Sequence, residues 1–136
     1  MIRYILLLLL LAPFAAHAQP DARVDTQMDL FVTFYNQKDD DKICTLFPKK
    51  KRGEYDCVWK WFRSKSDVWA KYGKIKSFAY AGVDTSDPEQ VRVFKVVYEK
   101  AGTKALSFTL HDDGTFGTFR FDTSSDEIER MIKKVR

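Results

Sequence analysis

The spacing of apolar positions changes near Gly73. Before it, intervals of three and four residues dominate. In VDTQMDLFVTFYNQ, Val24, Met28, Phe31 and Tyr35 recur at helical spacing and Leu30 and Phe34 widen the stripe, which predicts an amphipathic first helix. KDDDKICTLF predicts a short second helix. Asp39 to Asp41 complement the positive end of its dipole, Ile43, Leu46 and Phe47 form an apolar edge, and Pro48 stops it. EYDCVWKWFRSKSDVWAKYG holds all three tryptophans, Trp59, Trp61 and Trp69. It predicts one further helix, broken near Ser64, with Ser66 capping the final stretch and Gly73 as its left-handed terminator.

After Gly73 the pattern alternates. KIKSFAYAGV and QVRVFKVVYE are rich in β-branched and aromatic residues and flank the loop DTSDPE, which predicts two antiparallel strands. KAGT turns the chain into KALSFTL, where Leu106, Phe108 and Leu110 share a face, and HDDG turns it into TFGTFRFD. A one-residue bulge at Gly117 or Thr118 would bring Phe116 onto the face of Phe119 and Phe121. Ser124 and Glu127 have the spacing of a capping box, and DEIERMIKKVR places acids before cations, which predicts a short C-terminal helix. The predicted fold class is α+β: N-terminal helices packed on a curved four-stranded antiparallel meander.

The N-terminal stretch changes the compartment. MIRYILLLLLLAPFAAHAQP combines one early cation, Arg3, with an apolar run from Ile5 to Leu11 and small residues around Ala16 to Ala18. It reads as a signal peptide over 1–18, followed by a single domain over 19–136 that is periplasmic or secreted. The apolar run falls short of the roughly 20 residues a membrane span needs, so no span is expected after cleavage. Losing Arg3 with the leader leaves 22 of the 23 basic residues against 19 acids, a net charge of about +3. A nucleic-acid binder carries a larger and more one-sided excess.

In an oxidising compartment the two cysteines, Cys44 and Cys57, are expected to pair, and the entropic model gives about 3 kcal/mol for a loop of this size. A zinc site needs four ligands, whereas the mature chain offers these two cysteines and His111, so no metal is expected. Between the cysteines, Lys49 to Arg52 reads as a solvated loop.

The helices before residue 73, the step YGKIKSF and the run VRVFKVVYEKAGTKALSFTLHDDGTFGTFRF together resemble the nuclear transport factor 2-like superfamily, and within it small exported bacterial domains of unknown function. The resemblance covers residues 24 to 122. It implies helices wrapped on a bent sheet to form a cone, whose mouth or pocket binds a ligand in some members and catalyses isomerase or dehydratase chemistry in others. The C-terminal helix and the cysteine pair are not general features of that superfamily.

Candidate chemistry is sparse. His111, Asp112 and Asp113 have acid-base side chains but lie in a stretch whose composition suits a hairpin turn, and Asp29 sits on a helix face. Phosphate loops and nucleophile elbows are absent. The aromatic content is the remaining signal. Tyr35, Trp61, Trp69 and Tyr80 are the candidate ligand or partner contacts, because large aromatic side chains recur at interaction hot spots. The expectation is an exported, non-enzymatic domain that binds an apolar small molecule or a protein partner through an aromatic-lined cone mouth, with no cofactor. Alternatives are an isomerase or dehydratase using Asp29, Tyr35 or Tyr80, and a periplasmic inhibitor or immunity protein.

Overall fold

The computed structural model describes residues 21–49, 57–84, 88–123 and 130. The expected leader over 1–18, the cations at 50–52 and, apart from Arg130, the expected C-terminal helix lie outside the described residues. Four helices, α1 (Ala22–Asn36), α2 (Asp40–Cys44), α3 (Val58–Lys65) and α4 (Val68–Tyr72), precede four strands, β1 (Ile75–Asp84), β2 (Val91–Tyr98), β3 (Gly102–Leu110) and β4 (Phe116–Thr123). The strands form one antiparallel sheet in the order β1-β2-β3-β4. The α+β architecture expected from the change of period is therefore the one observed.

Three of the four helices begin where a short acid satisfies an orphan amide, and α3 begins at Cys57 without a side-chain cap. Asp21 accepts from Arg23 N at α1, Asp39 from Lys42 N at α2 and Asp67 from Ala70 N at α4. The buried side of α1 is the predicted stripe of Val24, Met28, Phe31 and Tyr35. The third helical region differs from the expectation in detail. Its break falls at Ser66–Asp67, not near Ser64, and the cap of the last helix is Asp67, not Ser66. Ser66 is extended, with φ −150° and ψ 136°, and its carbonyl accepts from the Arg63 guanidinium at 3.0 Å. The residue preceding the new helical turn is then Asp67. Gly73 ends α4 at φ 69°, and an added Cβ there would stand 3.0 Å from Glu99 Cβ.

The register of β3 against β4 carries the predicted bulge. Phe108 pairs with Phe119 and Leu110 with Phe116, so β4 advances three residues where β3 advances two. Thr118 N donates to Thr109 Oγ1 at 2.8 Å, which satisfies an amide the bulge displaces from the ladder. A Cβ on Gly117 would collide with Thr109 Oγ1, so only glycine fits there. The bulge lets Phe116, Phe119 and Phe121 all face the helices, where they join Phe94, Val96, Tyr98, Leu106 and Phe108 in one core with Met28, Phe31, Ile43 and Trp59.

Candidate functional site

The centre of the helix–sheet interface is filled by rings. Phe121 lies 5.3 to 6.3 Å, centroid to centroid, from Phe31, Tyr35, Trp59, Phe62, Tyr72 and Tyr98. Most of these pairs are tilted or edge-on, the arrangements that aromatic quadrupoles favour. Tyr35 is wholly buried in this cluster, and its hydroxyl donates to Gly73 O at 2.8 Å. Burial pushes the Tyr35 hydroxyl above its ordinary range, which keeps the proton on that oxygen.

Around this centre, α2 and α3 are fastened to each other at several points. The Cys44–Cys57 disulfide forms as expected, with Cα atoms 5.5 Å apart, and joins α2 to the N-cap residue of α3. Trp59 Nε1 donates to Asp40 Oδ1 at 2.6 Å, Lys60 Nζ lies 2.6 Å from Asp41 Oδ1, and Arg63 Nε lies 3.5 Å from Asp40 Oδ1. The Arg63 guanidinium also stacks over the Trp69 ring, 3.6 Å from its centroid. The acids that sequence reasoning assigned to the α2 dipole thus also anchor α3. Their spacing one and two residues from a helix cap gave no sign of that second partner.

With α3 held in this way, its far side is left to solvent. Trp61 is 52% exposed, against 1% for Trp59 two positions earlier, and Val58, one turn back from Trp61, is 39% exposed. These are the large apolar side chains that stand out among the described residues. Trp61 makes no ring contact with any described residue, and Lys65 follows it by four positions on an exposed part of the helix.

The other expected contacts take different places. Trp69 is half-buried: its Nε1 donates to Tyr35 O at 2.9 Å and one ring face is covered by Arg63. Tyr80 is half-buried on β1 with its ring 5.4 Å from Phe94. Tyr35 and Trp69 are therefore brought together, 6.1 Å between centroids, while Trp61 lies on another surface. Asp29 is exposed on α1. In the HDDG stretch, Asp113 accepts from Thr115 N and Oγ1 at 2.9 and 2.6 Å, while Gly114 N donates to His111 O, which is turn chemistry. Those bonds from Thr115 hold the Asp113 carboxyl below its ordinary range.

An open groove of about 560 Å³ runs between the end of α2 and this turn, bordered by Asp41, Thr45, Phe47, Pro48, Lys49 and Asp113. A shallower one continues on the α1 side of Thr45 and Thr115. Among the described residues, no helix is long and apolar enough to cross a membrane.

No protein family, curated protein or solved structure matches the chain. The likeness to the nuclear transport factor 2-like superfamily rests on the order and patterning of the elements alone.

Proposed function

We propose that the chain is an exported, non-enzymatic binding domain whose helix α3 presents Trp61 and Val58 to a protein partner. The observation that carries this reading is the contrast within α3. A helix fixed by a disulfide, a buried tryptophan and ion pairs displays a second tryptophan at 52% exposure. An aromatic carried on a helix that is already fastened is presented without the cost of ordering that helix on binding, which suits an interface anchor. Export is supported by the leader-like N-terminal sequence and by the disulfide. The isomerase or dehydratase alternative is weakened by where its three residues lie: Asp29 at the surface, the Tyr35 hydroxyl committed to Gly73, and Tyr80 packed on Phe94. An inhibitor or immunity protein is one kind of binder that fits the same surface.

A small-molecule reading draws on the groove beside α2, whose volume lies within the range of ligand sites and whose floor includes Phe47 and Pro48. Native mass spectrometry of the protein recovered from its own cell envelope separates these outcomes. A protein-sized adduct that disappears in Trp61→Ala supports the α3 reading. An adduct of small-molecule mass that survives Trp61→Ala supports the groove instead, and a bare monomer in every extract contradicts both.

A further inference from the structure

The two sulfurs of the Cys44–Cys57 disulfide have different surroundings. Cys57 is 1% exposed and belongs to the buried core, whereas Cys44 is half-buried at the end of α2 and packs against that core from outside. Cys44 also borders the open groove of about 560 Å³ between the end of α2 and the HDDG turn, in company with Thr45, Phe47 and Lys49. Among the described residues that line this groove, Cys44 is the one that carries a disulfide sulfur. A molecule entering the groove therefore meets one end of the bond, while the other end lies in the interior.

Thiol–disulfide exchange proceeds by attack of a thiolate on one sulfur with expulsion of the other, so access and leaving group together decide which sulfur is attacked. Both favour the same direction here. Access selects Cys44. Cys57 is the N-cap residue of α3, and its side chain makes no capping hydrogen bond to the helix. The first amides of an α-helix have no intrahelical acceptor, so a sulfur released at that position as an anion meets the positive end of an eight-residue helix. That environment favours its departure.

We infer that the disulfide is a directional exchange site for small thiols, with Cys44 as the sulfur that is attacked and Cys57 as the sulfur that leaves. A thiolate in the groove forms a new bond to Cys44 Sγ, the Cys44–Cys57 bond breaks, and its electron pair goes to Cys57 Sγ, which takes up a proton. The product is a mixed disulfide on Cys44. A second molecule of the thiol then attacks the first one's sulfur and expels Cys44 as a thiolate. Two small thiols are thereby oxidised to one disulfide and the protein disulfide is reduced to two thiols. Formation of the bond follows the same path in reverse: Cys44 takes the mixed disulfide from an oxidised small thiol, and Cys57, with its Cα 5.5 Å away, resolves it. The chain holds two cysteines, so no third thiol of its own diverts either direction. This site stands apart from Trp61 and does not depend on what Trp61 binds.

The test treats the folded parent protein with mercaptoethanol, an uncharged small thiol, traps early time points with N-ethylmaleimide and maps both cysteines by peptide mass spectrometry. Mercaptoethanol on Cys44 with maleimide on Cys57 should exceed the reverse pattern by at least about tenfold. The reverse pattern, an even split, or modification that begins only when urea is added would overturn the inference. Single variants give a second measurement that does not depend on trapping. The thiol left in Cys57→Ser, at Cys44, should react with uncharged dithiodipyridine at least about tenfold faster than the thiol left in Cys44→Ser, at Cys57, and the two should react alike in urea. Equal rates in the folded variants contradict the inference, and where circular dichroism shows a variant to be unfolded the mapping of the parent protein decides.

Discussion

Trp59 and Trp61 stand two residues apart on α3 and occupy opposite environments. The inner side of α3 belongs to a ring cluster in which Trp59 meets Phe31, Tyr35, Phe62 and Phe121, with its indole nitrogen committed to Asp40. The outer side offers Trp61 and Val58 to solvent and adds nothing to that cluster. One helix therefore separates aromatic residues that hold the domain together from aromatic residues that do not. Rings in the interior are explained by packing alone, so a functional reading has to rest on the ones that packing leaves unexplained.

The largest expected effect tests the inner side. Phe121→Ala removes the ring at the centre of six aromatic contacts and should cost about 3 to 5 kcal/mol, read as a fall in the urea midpoint. A loss below about 1 kcal/mol would mean that the cluster collapses around the gap and that its centre lies elsewhere.

Next comes the fastening between the two sides. Replacing Cys44 and Cys57 with serine should cost about 2 to 5 kcal/mol, and about 1 kcal/mol shifts Tm by roughly 4 °C in a domain of this length. A thiol titration under denaturing conditions should find no free thiol in the parent protein. A double variant that melts with the parent would remove the disulfide from the account of why α3 is rigid.

Tyr35→Phe is smaller, about 1 to 2 kcal/mol, because it leaves the Gly73 carbonyl without its buried donor. It also carries a pH signature. Burial raises the Tyr35 hydroxyl above its ordinary value of 10.0, so above pH 10 the unfolded chain releases a proton that the folded chain retains. That stabilisation is complete below pH 10 and is lost as the pH rises beyond it. The difference in Tm between parent and Tyr35→Phe should therefore narrow above pH 10, and a constant difference would show that the hydroxyl is not desolvated.

The two halves of this contrast differ in how far they can be read without coordinates. The stripe of α1 is legible because four buried positions repeat at a period that only a helix places on one side. The β4 bulge is legible because Phe116, Phe119 and Phe121 cannot share a face in a regular strand. The cap of α4 is less so, since Ser66 and Asp67 both have capping side chains and the choice depends on where Arg63 reaches. Tyr35 and Trp69 read as candidate contacts because composition counts rings without saying which ones meet, and Phe121 fixes that only through tertiary placement. Trp61 is partly legible: it lies on the helical side opposite Trp59 and Phe62. The burial of Ala105, Ser107 and Thr109 on β3 is hidden altogether, because in the sequence they look like solvent-facing strand positions.

The smallest effect on folding falls on the outer side. Trp61→Ala should change stability by no more than about 0.5 kcal/mol, the range for surface positions that make no defined contact. A cost of about 2 kcal/mol or more would assign Trp61 to packing and remove the reason to regard it as displayed.

Hydroxyl-radical footprinting of the folded protein, in buffer and again in cell-envelope extract, tests the central claim most directly. The account predicts that Trp61 is oxidised readily in buffer and protected several-fold in the extract, while exposed His111 in the HDDG turn reacts equally in both. Equal oxidation of Trp61 in buffer and in extract, with the fold intact, would contradict it.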